Sequence, residues 1–144
     1  MTSFQSIEYL ISISLGKQAA QLFNQVVCVS GGFGAFRRTA LESVGGFDVG
    51  GGEDLDVTLR LRNAGWRIQF AADAAGYTDV PVTLMDFARQ RLRWERDAVR
   101  LRYRKHLAVI SPFSARFDLL ELVHQIEFIV FNLFAAAAFP FYLL

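Results

Sequence analysis

The spacing of apolar residues lays out a chain in which helices alternate with short apolar runs. Phe4, Ile7, Ile11, Leu15, Ala19 and Leu22 recur at helical intervals and predict a helix over residues 4–24. Val26–Ser30 is a short β-branched run that reads as a buried strand. Phe33–Arg37 reads as a second extended piece beyond the Gly31-Gly32 break. Thr39-x-x-Glu42 has capping-box spacing and predicts a short helix that stops at Gly45-Gly46. Gly50-Gly51-Gly52 reads as a flexible loop. A helix follows from about Asp54 to Ala64, supported by Asp56 and Arg60 at i,i+4 and closed by Gly65. Arg67–Phe70 alternates polar and apolar residues as a strand does, and residues 71–83 read as loop and short strand. A long helix is predicted from about Leu84 to Lys105, and Pro112 and Ser114 mark a break before the last segment. Helices alternating with strands give an α/β class, with too few strands for a complete doubly wound sheet.

The end of the chain is far more apolar than the rest. No residue from Phe128 to Leu144 is charged, and only Asn132 and Pro140 interrupt the apolar run. Seventeen helical residues would span roughly 25 Å, a little short of the ~30 Å hydrocarbon core. The expectation is a truncated transmembrane helix over 128–144, with a buried core helix as the alternative. Residues 107–127 mix Leu and Ile with Glu121, His124 and Glu127, as an interfacial or amphipathic segment does. Residues 1–106 then form the main domain. Met1 to Leu10 carries no basic leader region, so no signal peptide is read there.

Composition and charge sharpen this outline. Hydrophobic residues make up 53% of the 144, which excludes a disordered chain, and the single Cys28 excludes a disulfide framework or a Cys-based zinc cluster. The net charge of +1 conceals an asymmetry. Residues 89–116 hold 9 basic and 2 acidic side chains, against 6 and 9 over residues 1–88 and 0 and 3 over residues 117–144. A basic block flanking an apolar segment places that flank on the cytoplasmic side of an inner or plasma membrane. The block is too short, and too close to a membrane segment, for a nucleic-acid binder.

Two groups of residues could carry chemistry. Gly52-Glu53-Asp54-Leu55-Asp56 puts three carboxylates behind a glycine loop at the start of a helix. They could cap the helix, or one of them could act as a general base on an acceptor hydroxyl. Asp56 pairs with Arg60 in this reading and is structural, so Asp56→Asn is expected to be mild. On the long helix, Gln90, Arg93 and Trp94 fall within an arc of about 100°. One face thus offers an amide, a guanidinium suited to phosphate and an indole suited to stacking on a sugar. The stripe Leu84, Phe87, Arg91, Trp94, Ala98, Leu101 leaves Trp94 as a core residue open as well. Gly32-x-Gly34 is not a dinucleotide loop, because Arg37 stands where a third glycine is needed. Neither a Gly-x-Ser-x-Gly elbow nor a Walker loop is present, and His106 and His124 lack metal-ligand spacing.

The order Ser30-Gly31-Gly32-Phe33-Gly34-Ala35-Phe36-Arg37-Arg38, then Gly52-Glu53-Asp54, then Gln90-Arg91-Leu92-Arg93-Trp94 resembles processive family 2 glycosyltransferases. These are membrane enzymes related to cellulose, chitin, hyaluronan and poly-N-acetylglucosamine synthases. The segment Phe4–Leu10 also resembles the helix preceding this block in bacterial members. The resemblance implies a hexosyltransferase with a GT-A fold, of which this chain is the C-terminal half, followed by interfacial and transmembrane helices. It implies a nucleotide-diphosphate sugar donor, a growing glycan acceptor, the lipid bilayer as surroundings and inversion at the anomeric carbon. It implies Asp54 as general base beside Glu53, Arg93 and Gln90 on the donor diphosphate, and Trp94 under the acceptor sugar. Ser30, Gly31 and Gly32 would then line the acceptor terminus, where cellulose synthases read Cys-Gly-Ser. The family's upstream Asp motifs for the nucleotide base and a divalent cation, Mg or Mn, are absent from this chain. No metal ligand is therefore assigned, and the chain alone is expected to be inactive. The alternative reading is a non-catalytic membrane-anchored module whose basic helix binds anionic lipid or a partner protein.

Overall fold

A computed structural model of the chain describes residues 6–7, 9–48, 50–115 and 117–130. It divides into two compact units at Arg102/Tyr103. In the first, a π-helical stretch, Leu10–Leu15, runs into helix α1, Gly16–Leu22. Its predicted apolar face is not buried: Ile7, Ile11, Leu15 and Leu22 are all exposed. Phe4, the first residue of that face, lies outside the described residues.

Helix α2, Arg38–Ser43, starts one residue before Thr39, so the predicted capping box does not form. Glu42 instead takes Arg38 at 2.7 Å, an i,i+4 pair within the helix. The stop is as expected, with Gly45 and Gly46 both left-handed. Helix α3, Glu53–Asn63, begins at left-handed Gly52 and ends before left-handed Gly65. Helix α4, Leu84–Arg100, is capped by Thr83, whose hydroxyl accepts from the Asp86 N–H at 3.1 Å. It continues as a π-helical stretch, Leu101–Lys105.

The predicted strands are corrected. Among the described residues no strand ladder forms, and Val26–Ser30 and Arg67–Phe70 run outside any regular element. Their N–H groups are met by side chains rather than by a neighbouring strand. Ile68 N–H donates to Asn24 Oδ1 at 3.0 Å, Phe70 N–H to Gln21 Oε1 at 2.8 Å and Val29 N–H to Thr58 Oγ1 at 2.9 Å. The apolar alternation was real, but a strand also needs a partner backbone, and these segments find amides and a hydroxyl instead.

Helix α3 is the centre of the first unit. One face packs Val57 and Leu61 with Ala40, Phe36, Leu41, Val44 and Trp66. The other packs Leu55 and Leu59 with Leu101, Ala98, Val27 and Cys28. The second core ties the acidic start of α3 to the far end of α4 and to the segment before Ser30.

The second unit contains helix α5, Leu107–Ile110, and helix α6, Leu119–Phe128. Asp118 caps α6 by accepting from Leu120 N–H at 2.8 Å, and its own N–H donates to Val109 O at 2.8 Å. Leu119, Leu120, Val123 and Ile126 of α6 stand exposed. Of the predicted spanning segment 128–144, residues 131–144 lie outside the described residues. Among the described residues no helix is long and apolar enough to cross a membrane.

Candidate active site

The acidic start of α3 meets the Ser30-Gly31-Gly32 loop. Asp54 Oδ1 accepts from Leu55 N–H at 2.8 Å, inside the helix's own first turn. Its Oδ2 accepts from Gly31 N–H at 3.2 Å. One carboxylate therefore caps α3 and holds the loop together, at the helix end where the backbone dipole favours negative charge. A side chain at Gly31 would begin 3.3 Å from Asp54 Oδ2 and 3.4 Å from Glu53 Oε1, so glycine permits this approach. A Cβ at Gly32 would meet nothing within 4 Å. Bare backbone thus stands open beside the Glu53-Asp54 pair.

Behind the loop, Lys17 Nζ donates to Ser30 Oγ at 2.8 Å. Burial lowers the Lys17 pKa, opposed by the negative charge of Asp54. Burial also drives the Cys28 thiol far above its ordinary range, helped by the charge and hydrogen bond of Asp54 and opposed by Lys17 and Arg102. Lys17 and Cys28 were not singled out from the sequence. The available signal was that Lys17 is the sole basic residue of the first 36.

Asp56 belongs elsewhere. It is fully buried and pairs with Arg60 Nε at 2.8 Å, and Arg60 also donates to the Val44 and Gly46 carbonyls. The pair clamps the turn after α2, as a structural residue should. Asp56→Asn would weaken a pair held away from water, while Arg60 would keep Asp48 at 3.4 Å and its two carbonyls.

On α4, Gln90 and Arg93 line a surface groove with Asp86 and Arg89. Trp94 is 41% exposed and so is not a closed-core residue. The Arg91 guanidinium lies 4.8 Å over the indole and 4.9 Å over Phe87, so a cation already covers one indole face. No described contact joins the groove directly to Asp54. The link runs along the helix. Asp97, one turn beyond Arg93 and on the same face, abuts Gly51, where a Cβ would meet its Oδ2 at 2.9 Å. Arg100 donates to Gly51 O at 2.6 Å. At Gly52 a Cβ would begin 2.7 Å from Leu101 Cδ1. Asp97 was missed in the sequence, although its i+4 spacing from Arg93 places it on that face.

Among the described residues no group of three or more His, Cys, Asp or Glu could hold a metal ion. Cys28, Glu53 and Asp54 do not form such a set.

A family model for Glycosyl transferase family group 2 matches residues 2–144, and the chain belongs to that family. Among curated relatives, an N-acetylglucosaminyltransferase of Rhizobium meliloti (strain 1021) is 32% identical over 126 residues, covering 80% of this chain and 30% of that protein. An N-acetylglucosaminyltransferase of Neorhizobium galegae is 28% identical over 136 residues, covering 87% and 30%. One from Bradyrhizobium diazoefficiens is 30% identical over 109 residues, covering 69% and 22%. The chain therefore spans less than a third of the length of these relatives. No solved structure matches it.

Proposed function

We propose that this chain is the acceptor-side half of a GT-A catalytic domain in an inverting, processive membrane glycosyltransferase. The donor is a nucleotide-diphosphate sugar and the acceptor a growing glycan, with N-acetylglucosamine as the transferred sugar by analogy with the names of the relatives. The observation that carries this reading is the Asp54 carboxylate, held against Gly31 N–H with open glycine backbone at Gly32 beside it. In this reading a glycan terminus approaches over Gly32, where a Cβ would meet nothing within 4 Å, and meets the Asp54 and Glu53 carboxylates at Gly31.

In this reading Asp54 accepts the proton of the acceptor hydroxyl, with Glu53 as its charged neighbour. The acceptor oxygen bonds to the anomeric carbon from the face opposite the diphosphate. The bond from that carbon to the diphosphate oxygen breaks, and its electron pair leaves with the nucleoside diphosphate. Arg93, exposed on α4 beside Gln90, grips the diphosphate, and the uncovered face of Trp94 supports the acceptor sugar. A divalent cation, Mg or Mn, is proposed for the donor on ligands outside this chain, where it would offset diphosphate charge.

Two substitutions in the full-length protein carrying this segment test the assignment. Asp54→Asn should lower sugar transfer by about 10²–10⁴-fold while nucleotide-diphosphate affinity stays close to wild type. Arg93→Lys should weaken that affinity by roughly 10- to 100-fold, since an ammonium cannot reproduce a two-point grip. Retained turnover in Asp54→Asn would reduce this carboxylate to a helix cap.

A second reading has its own observation. Arg89, Arg93, Arg96 and Arg100 are all exposed and recur at three- and four-residue spacing along α4. Such a stripe suits an anionic lipid surface, and in this alternative the basic helix, Arg93 included, contacts the bilayer instead of a donor diphosphate.

A further inference from the structure

We propose that Lys17 is a positioning residue for Asp54, acting through the Ser30-Gly31 loop. The inference rests on the reading of Asp54 as the general base.

The path is continuous in the structure. Lys17 Nζ donates to Ser30 Oγ at 2.8 Å, and the next residue, Gly31, donates its N–H to Asp54 Oδ2 at 3.2 Å. Asp54 Oδ1 is fixed independently by Leu55 N–H at 2.8 Å. The carboxylate plane is therefore set at one oxygen by its own helix and at the other by the loop. The loop is held from behind by Lys17. Gly31 and Gly32 have no side chains to pack, so the loop needs an anchor, and Ser30 is its last residue with a polar side chain before the two glycines.

The energetics argue against a purely stabilising role. Lys17 is half-buried, and burial works against its charged form despite the nearby Asp54 carboxylate. A methionine of similar length would remove that desolvation cost. An ammonium kept at such a position has its effect on the geometry of the groups it touches. A base misplaced by a fraction of an ångström loses much of its advantage, because proton transfer depends on a short, aligned contact.

The test uses the full-length protein and two readouts. Amide exchange of the peptide containing Gly31, followed by mass spectrometry, reads the loop's anchor without reference to activity. In Lys17→Met this amide should exchange about tenfold faster, the effect of losing one charge-assisted bond. Ser30→Ala removes the same bond from the other side and should behave alike, which keeps the test decisive should Lys17→Met fold poorly. In turnover, Lys17→Met should lower kcat by about 10- to 100-fold with donor KM and Tm essentially unchanged. Lys17→Arg, which keeps a cationic donor, should recover most of the lost kcat. Unchanged Gly31 exchange in both Lys17→Met and Ser30→Ala overturns the proposal, even if Asp54→Asn is inactive. A fall in kcat accompanied by an equal fall in Tm, with no rescue by Lys17→Arg, also overturns it. If Asp54→Asn keeps full turnover, the base assignment fails on its own, and the exchange data still decide whether Lys17 anchors the loop.

Discussion

Cys28 is within electrostatic reach of a carboxylate, Asp54, and of two cations, Lys17 and Arg102. Burial and the carboxylate outweigh both cations and hold the thiol protonated. Because the folded state raises this pKa, the thiol's contribution to stability is full below the ordinary value of 9.0 and is lost as pH rises beyond it. The Tm of the wild-type chain should therefore fall relative to Cys28→Ala as pH rises above about 9, and melting curves of both from about pH 8 to pH 11 check it. At pH 8, thiol alkylation of the folded chain should be at least about tenfold slower than of the unfolded chain, because the thiolate is the reactive form. At this scale the sequence was legible where residue type alone carried meaning. Asp54, Glu53 and Gly31 were identifiable from their motifs, and the structure brings them together. Lys17, Cys28 and Asp97 were not, because their significance comes from contacts across 10 to 50 residues of chain, which no local spacing encodes. Trp94 fell between the two readings offered for it, since neither foresaw a guanidinium lying on the ring.

Helix positions followed from periodicity because a helix satisfies its own backbone. The strand assignments failed because a strand does not, and Val26–Ser30 and Arg67–Phe70 are bonded by distant side chains. The capping box failed through competition, since Glu42 is within reach of Arg38 and pairs with it. Glycine punctuation was read correctly, but sequence did not distinguish one glycine from another. Gly52 and Gly65 both adopt left-handed φ, +70° and +83°. Around Gly65 there is open space, whereas a Cβ at Gly52 would begin 2.7 Å from Leu101 Cδ1. Gly65→Asn should cost only about 1 kcal/mol or less, because Asn tolerates this backbone region. Gly52→Asn should cost about 2–4 kcal/mol by forcing Leu101 out of the core that also contains Leu55 and Leu59. Chemical denaturation of the two variants checks the contrast. The Gly52 variant should also lose donor-dependent turnover, since this glycine sets where Glu53 and Asp54 begin.

For the whole molecule, charge distribution matters more than net charge. The block over residues 89–116 has an excess of seven positive charges, and four of its arginines on α4, Arg89, Arg93, Arg96 and Arg100, are exposed. The chain should bind vesicles containing anionic lipid and release them as salt rises from about 50 to 500 mM, because exposed charges are screened over a few ångströms at the higher value. Neutral vesicles should bind it more weakly, and cosedimentation at several salt concentrations checks both statements. The unpaired segment 66–70 has a separate consequence. Trp66 O accepts from Asn24 Nδ2, while Ile68 N–H and Phe70 N–H donate to Asn24 Oδ1 and Gln21 Oε1. These three bonds engage alternate residues, 66, 68 and 70, of a segment that has no strand partner among the described residues. An open backbone edge is a template on which a second chain can add itself, the first step towards fibrous self-association. Two amide side chains here imitate the peptide groups of a neighbour and shield that edge, acting as a guard against templated growth.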